Sequence, residues 1–224
     1  MSDISIWNTN NLASKNQFPH YPTDMMLRAC FSAQYFGNNK LPDYGKVLDI
    51  GTLYANNLMP FFIRGWECYG TEVTSESVAI AKENLLRLRL NATVELGLNS
   101  QLPFQDNLFD LLLSMSTLHY EESISGIKDA LREYSRVLKP GGTVLIQTVA
   151  PKHYLYTNSD EVDEQIFQVK MDDDIRDSQK FVFLDSEELV VEVMGQFFQN
   201  IEIARCTEAY PKKCVDLWLI KANK

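Results

Sequence analysis

Residues 45–51, reading GKVLDIG, and the carboxylate that ends the next apolar run constrain this chain more than any other feature. KVLDI has the composition of a short buried strand, and Asp49-Ile50-Gly51 closes it. A glycine at that point lets a ligand approach the main chain where a side chain would collide. The following strand-like run, WECYGTEV, carries the acidic Glu72 near its end. Strand, glycine, second strand and acid, spaced by roughly twenty residues, are the layout that seats an adenosine group at the carboxyl edge of a parallel sheet.

Further strand-like runs, ATVEL, LFDLLLSM, GTVLIQTV, QNIEIARC and CVDLWLIKA, alternate with helical stretches. That alternation implies right-handed crossovers and parallel strands. The short link containing Pro211 leaves no room for a crossover helix, so the last strand is expected to run antiparallel. The predicted fold class is therefore α/β: a doubly wound, mostly parallel, seven-stranded, Rossmann-like sheet with an antiparallel C-terminal strand.

Helix faces follow from the period. Val78, Ala81, Leu85 and Leu88 mark one, opened by Thr74 or Ser75; Ile127, Leu131, Tyr134 and Leu138 mark another, with Arg132, Glu133 and Arg136 expected in water and Pro140-Gly141-Gly142 as its stop. Asp185-Ser186-Glu187-Glu188 has capping-box spacing ahead of Leu189, Val193 and Phe197. Pro22 and Thr23-Asp24 predict a helix start whose apolar face is Met26, Leu27, Cys30 and Phe31. Residues 151–180 fit no sheet element. They are expected to form a lid with a short helix around Glu164 to Lys170 and a solvated Asp172-Asp173-Asp174 run.

With 224 residues, 45% of them hydrophobic, one domain is expected over 1–224, comprising a helical cover (1–44), a cofactor-binding core (45–150), the lid (151–182) and a C-terminal helix and hairpin (183–224). A formal net charge of -9 opposes a nucleic-acid partner, which draws affinity from basic side chains. No run reaches the ~20 apolar residues of a membrane span, and the N-terminus lacks a signal-peptide pattern, so a cytoplasmic location is expected. Cys30, Cys68, Cys206 and Cys214 form no CxxC pair, so they read as free thiols and no metal site is signalled. Oligomeric state leaves no trace in the sequence.

VLDIG, GTEVTSESV, GLNSQLPFQDNLFDLLLS and LKPGG, in this order, resemble the class I S-adenosylmethionine-dependent methyltransferases of the small-molecule and glycan-associated type, from about residue 46 onward. The resemblance implies S-adenosylmethionine as cofactor and a small-molecule methyl acceptor, such as a hydroxyl or amine of a sugar or metabolite. It implies cofactor contacts at Asp49, Gly51, Thr52, Leu53, Glu72, Val73, Leu98, Asn99 and Ser114. Glu72 would take the ribose diol, Asp49 the loop amides or the ammonium, and Ser114 the methionine end. It also implies a catalytic pair in His119 and Tyr120, with His119 as a base near its ordinary pKa of ~6.5. His119 packing under the cofactor or capping the next helix is the alternative. Tyr21, His153, Tyr154 and Tyr156 are the candidate acceptor contacts, with core or lid packing as the alternative for the last three. Trp7 and the following YPTD segment resemble the cover helix of such enzymes.

The departures are specific. Leu53 and Ala55 stand where the family shows glycine, and Leu98 replaces its adenine-binding acid, with Asn99 next to it. These departures keep open a second reading, a methyltransferase-like binding or regulatory protein without catalysis. A nicotinamide-dependent oxidoreductase would need the later glycines of G-x-G-x-x-G, which this loop lacks.

Overall fold

The computed structural model describes residues 21–32, 34–37, 41–172 and 174–224. Trp7 lies outside them. Helix α1 spans Asp24–Phe31, with Met26 and Cys30 buried as its period predicts. Strand β1 (Lys46–Ile50) leads through a short turn into α2 (Met59–Ile63), and β2 (Glu67–Glu72) into α3 (Ser75–Leu88). Strand β3 (Ala92–Leu96) precedes β4 (Phe109–Met115), α4 (Ile124–Val137) and β5 (Leu138–Val149). The order across the sheet continues 3-2-1-4-5 into the C-terminal hairpin, whose strand Lys213–Asn223 pairs antiparallel with β5 and whose strand Gln199–Tyr210 forms the edge. The seven-stranded, mostly parallel sheet with an antiparallel last strand is thus present.

The chain runs outward from β1 to β3 and then returns to β4 on the other side of β1. The carboxyl ends of β1 and β4 therefore open a crevice at the switch point. Side chains alternate between the two faces. Leu48, Ile50, Leu112 and Ile146 meet α4 on one face; Val47, Leu111, Leu113 and Leu145 meet α1 and its neighbours on the other. Thr74 caps α3 by accepting the Ser77 N–H (3.2 Å), and Ser123 caps α4 by accepting that of Gly126 (3.0 Å).

Several local expectations are corrected. Leu138 belongs to β5, which starts directly after α4 and carries KPGG as an irregular opening, with pairing that skips from Phe109–Leu138 to Leu111–Thr143. Glu133 and Arg136 do not simply face water. Arg136 is held by Glu133 and Asp106 and donates to the carbonyls of Phe104 and Leu102, because the loop before β4 supplies acceptors that only the fold brings together. The cap of the helix Glu187–Met194 is Ser186, which accepts the Leu189 N–H at 3.3 Å, one residue later than the box starting at Asp185.

The largest correction is the lid. Tyr154–Thr157 forms a short helix α5, followed by strands β6 (Ser159–Asp163), β7 (Ile166–Val169) and β8 (Lys180–Val182) in an antiparallel sheet. No helix forms at 164–170. Phe167 and Val169 point inward with period two and pack with Leu155, Phe181 and Phe183, and Gln165 takes the left-handed turn (φ 57°) that starts β7. Asp174 is not solvated but pairs with the Arg176 guanidinium at 2.8 and 3.0 Å. The C-terminal helix and strands complete the order as α6 (Glu187–Met194), β9 (Gln199–Tyr210) and β10 (Lys213–Asn223). Among the described residues no helix is long and apolar enough to cross a membrane, and no His, Cys, Asp or Glu cluster has the makings of a metal site. All four cysteines are free.

Candidate active site

The turn after β1 is left-handed at three alternate positions, Gly51 (φ 64°), Leu53 (46°) and Ala55 (59°). Leu53 and Ala55 thus adopt the backbone of the glycines they replace, at a cost of roughly 1–2 kcal/mol each. At Gly51 the protein's own packing requires glycine, since a Cβ there would stand 2.5 Å from Thr117 Cγ2. Thr52 donates its hydroxyl to Asp49 Oδ2 (2.9 Å) and its N–H to the Thr71 carbonyl (3.1 Å), which ties the turn to β1 and β2. The Thr23 N–H donates to Asn57 Oδ1 at 2.9 Å, so the start of α1 is anchored to the end of the same turn.

Glu72 stands at the end of β2 and is buried, with 1% of its surface exposed. Its Oε1 accepts the Leu53 N–H, while Oε2 is buried without a hydrogen-bond partner. Burial pushes Glu72 up to about 7, and the nearby negative charge of Asp49 adds to the rise. Asp49, fully buried, is likewise raised by burial to about 7. The crevice thus holds two buried acids, each with one oxygen, Asp49 Oδ1 and Glu72 Oε2, without a hydrogen-bond partner. That donor set fits a cationic ligand bearing a vicinal diol. Val73 follows Glu72 and is half-buried.

Beyond β3, the Gly97 N–H bonds the Glu72 carbonyl at 2.9 Å, while Leu98 is 44% exposed and offers no side-chain acceptor. Asn99 is turned into the protein. Its Oδ1 accepts from Tyr134 (3.0 Å) and its Nδ2 donates to Glu121 Oε1 (2.7 Å). Ser114 shares hydrogen bonds with Thr117 (2.7 Å) and Tyr134 (3.3 Å), so its hydroxyl is committed toward α4.

His119 is not a base near its ordinary pKa. It is buried between Tyr120 (ring centroids 4.7 Å) and Phe181 (5.6 Å), with Nδ1 3.4 Å from the Thr148 hydroxyl, and burial pushes it down to about 3. Nor does it cap α4, a task Ser123 performs. Tyr120 is 38% exposed. His153, Tyr154 and Tyr156 pack around the lid. His153 caps α5 by accepting the Leu155 N–H (3.1 Å) and stacks on Tyr154, Tyr154 lies under Arg176 and Lys213, and Tyr156 packs on Phe167 and Phe183. Tyr21 is 78% exposed, two residues before the anchor at Thr23.

The sequence reading passed over Ser116 and Gln147. Ser116 follows β4 in a left-handed conformation (φ 62°), and Gln147 is a buried amide in β5 that donates to its hydroxyl at 2.8 Å. The signal for Gln147 was available as a lone amide in the apolar run GTVLIQTV.

Residues 48–146 match the family described as Methyltransferase domain. The chain is 31% identical over 102 residues to an uncharacterized methyltransferase, YcgJ, of Bacillus subtilis, covering 45% of this chain and 39% of that protein. It is 32% identical over 94 residues to the ubiquinone/menaquinone biosynthesis C-methyltransferase UbiE of Neisseria gonorrhoeae, covering 37% and 36%. The chain therefore spans well under half the length of these curated relatives. A SAM-dependent methyltransferase structure from Methanosarcina mazei superposes with TM-score 0.68 at 17% identity, covering 82% of this chain and 94% of that one. The 1,6-didemethyltoxoflavin-N1-methyltransferase of Burkholderia thailandensis, solved with its substrate and S-adenosylhomocysteine, superposes with TM-score 0.59 at 14% identity, covering 80% and 71%. Residues 48–146 thus match a methyltransferase domain, and the sheet order is that of the fold seen in the solved S-adenosylmethionine-dependent methyltransferases.

Proposed function

We propose that the protein binds S-adenosylmethionine in the crevice above β1 and β2 and transfers its methyl group to a small molecule. The observation that carries this reading is the buried Glu72 carboxylate, one oxygen fixed by the Leu53 N–H and the other without a partner, beside the left-handed turn that begins at Gly51. A buried acceptor left unsatisfied costs about 1–3 kcal/mol, a deficit that a diol hydroxyl removes on binding. Glu72 would hold the ribose, the Gly51 turn would pass along the amino-acid end, and Asp49 with Glu72 would supply the negative field for a cationic cofactor.

When bound, this cofactor supplies a methyl group on an electron-poor sulfur. The protein's part is then alignment of nucleophile and methyl, together with exclusion of water. The retained left-handed backbone at Leu53 and Ala55 supports cofactor binding, since the turn keeps its shape without glycine. A small-molecule acceptor is supported by the named activities of the relatives. The net charge of -9 speaks against a nucleic-acid acceptor.

Titration calorimetry and thermal shift with S-adenosylmethionine and S-adenosylhomocysteine test the reading. Saturable heat and a raised melting temperature are expected, because a ligand specific to the native state stabilises it. Neither effect at millimolar ligand would refute it.

A further inference from the structure

Gln147 is a buried polar group that the cofactor site does not use. Its side chain is 6% exposed, its Nε2 donates to Ser116 Oγ at 2.8 Å, and its Oε1 is buried without a partner. The Ser116 N–H also donates to the Gln147 carbonyl at 2.9 Å, so the two residues are locked together main chain to main chain and side chain to side chain. Ser116 holds a left-handed conformation just past β4, the kind of strain that structures retain at functional positions.

The sheet register locates this pair. Asp49 pairs with Leu113 and Leu113 with Leu145, so Asp49 and Leu145 share a row and a face; Gln147 lies two residues further toward the carboxyl rim on that same face. It is two strands from β1, about 10 Å across the sheet, with Met115 of β4 in the same row between them. Thr148, on the opposite face, is the partner of His119. The imidazole and the Gln147 amide therefore lie on different sides of β5, and the side shared with Asp49 is Gln147's.

We propose that Gln147, oriented by Ser116, is the acceptor-positioning group, and that the acceptor atom is a neutral amine nitrogen whose N–H is held by the free amide oxygen. This rests on the methyltransferase reading above. A carbonyl oxygen accepts, so its partner must be a donor. An amine needs no proton removed before it attacks, which suits a site whose histidine stands on the other face. The nitrogen lone pair forms the new N–C bond as the S–C bond breaks with its electron pair left on sulfur. The amine becomes a methylammonium, and its extra proton passes to water after release.

The test uses the full chain with Gln147→Met, which keeps the volume and loses the amide, and Gln147→Glu, which restores an acceptor oxygen. Each is incubated with S-adenosylmethionine labelled with carbon-13 in its methyl group and a deproteinised small-molecule extract of the source cells. The products are read by the carbon shift of the new methyl group. Wild type is expected to give N-methyl signals; Gln147→Met is expected to lose at least tenfold of them, with S-adenosylmethionine affinity unchanged and a melting temperature no lower; Gln147→Glu should recover part. O-, C- or S-methyl products, no product despite cofactor binding, or full transfer by Gln147→Met would overturn the proposal. So would a lower melting temperature in Gln147→Met accompanied by weaker cofactor binding, the mark of a structural role. Failure of wild type to bind S-adenosylmethionine would instead overturn the function itself.

Discussion

Replacing Glu72 by glutamine should move stability and affinity in opposite directions. The carboxyl group has an ordinary pKa of 4.5 and is raised by burial to about 7 in the folded protein. An acid whose folded pKa is raised favours folding with its proton on, so that part of the stability is present at low pH and declines as pH rises from about 4.5 to about 7. Above that window the fold carries a buried charge costing on the order of 3 kcal/mol. Glutamine carries no charge, keeps an oxygen for the Leu53 N–H and is nearly isosteric. At pH 8, Glu72→Gln should therefore unfold later, by roughly 5–10 °C for a chain of this size. At pH 5 the gain should be small. The same change replaces the free acceptor Oε2 by a donor, so S-adenosylmethionine should bind roughly 10–100-fold more weakly, the worth of one charge-assisted hydrogen bond. Calorimetric titration beside thermal melts at pH 5 and 8 reads both effects. An affinity within twofold of wild type would remove Glu72 from the binding site, and an equal melting temperature at pH 8 would refute the buried-charge argument.

Gly51→Ala should cost at least 1–2 kcal/mol of stability, because its Cβ meets Thr117 Cγ2 at 2.5 Å and its φ is left-handed; a chemical melt reads this, and cofactor affinity should fall with it. Because His119 is pushed down to about 3, methyl transfer between pH 6 and 8 should show no histidine limb, and His119→Phe should keep more than a tenth of wild-type turnover; a general base would lose 10²–10⁴-fold. Arg89→Gly, at the exposed left-handed cap of α3, should stabilise by several tenths of a kcal/mol to about 1 in a denaturant titration.

What the sequence made legible was whatever depends on local pattern. The strand runs from KVLDI to CVDLWLIKA each fall on a strand, because apolar runs of that length between turn residues have few other uses in an alternating chain. Glu72 was legible for the same reason, as an acid fixed to the end of such a run. The lid was not. Its strands are short and half polar, and the alternation of Phe167 and Val169 gains meaning only against Leu155, Phe181 and Phe183, which arrive from both sides of the segment. His119 was misjudged because a histidine's pKa is set by neighbours. Phe181 lies 62 positions along the chain from it, on a strand that the sequence did not announce.

The loop departures illustrate how substitution and backbone separate. Leu53 and Ala55 look, as letters, like the loss of a glycine-rich turn, yet both residues sit at positive φ and the Leu53 amide still reaches Glu72. What holds them there is the surrounding bonding: Thr52 to Asp49 and Thr71, the Ala55 N–H to the Thr52 carbonyl at 2.7 Å, and Asn84 to the Tyr54 carbonyl from α3. Several hydrogen bonds of about 1 kcal/mol each suffice to offset two left-handed residues. The conformation that glycine would adopt freely is here imposed by β2 and α3, so the shape of a binding turn survives a change in the residues that usually signal it.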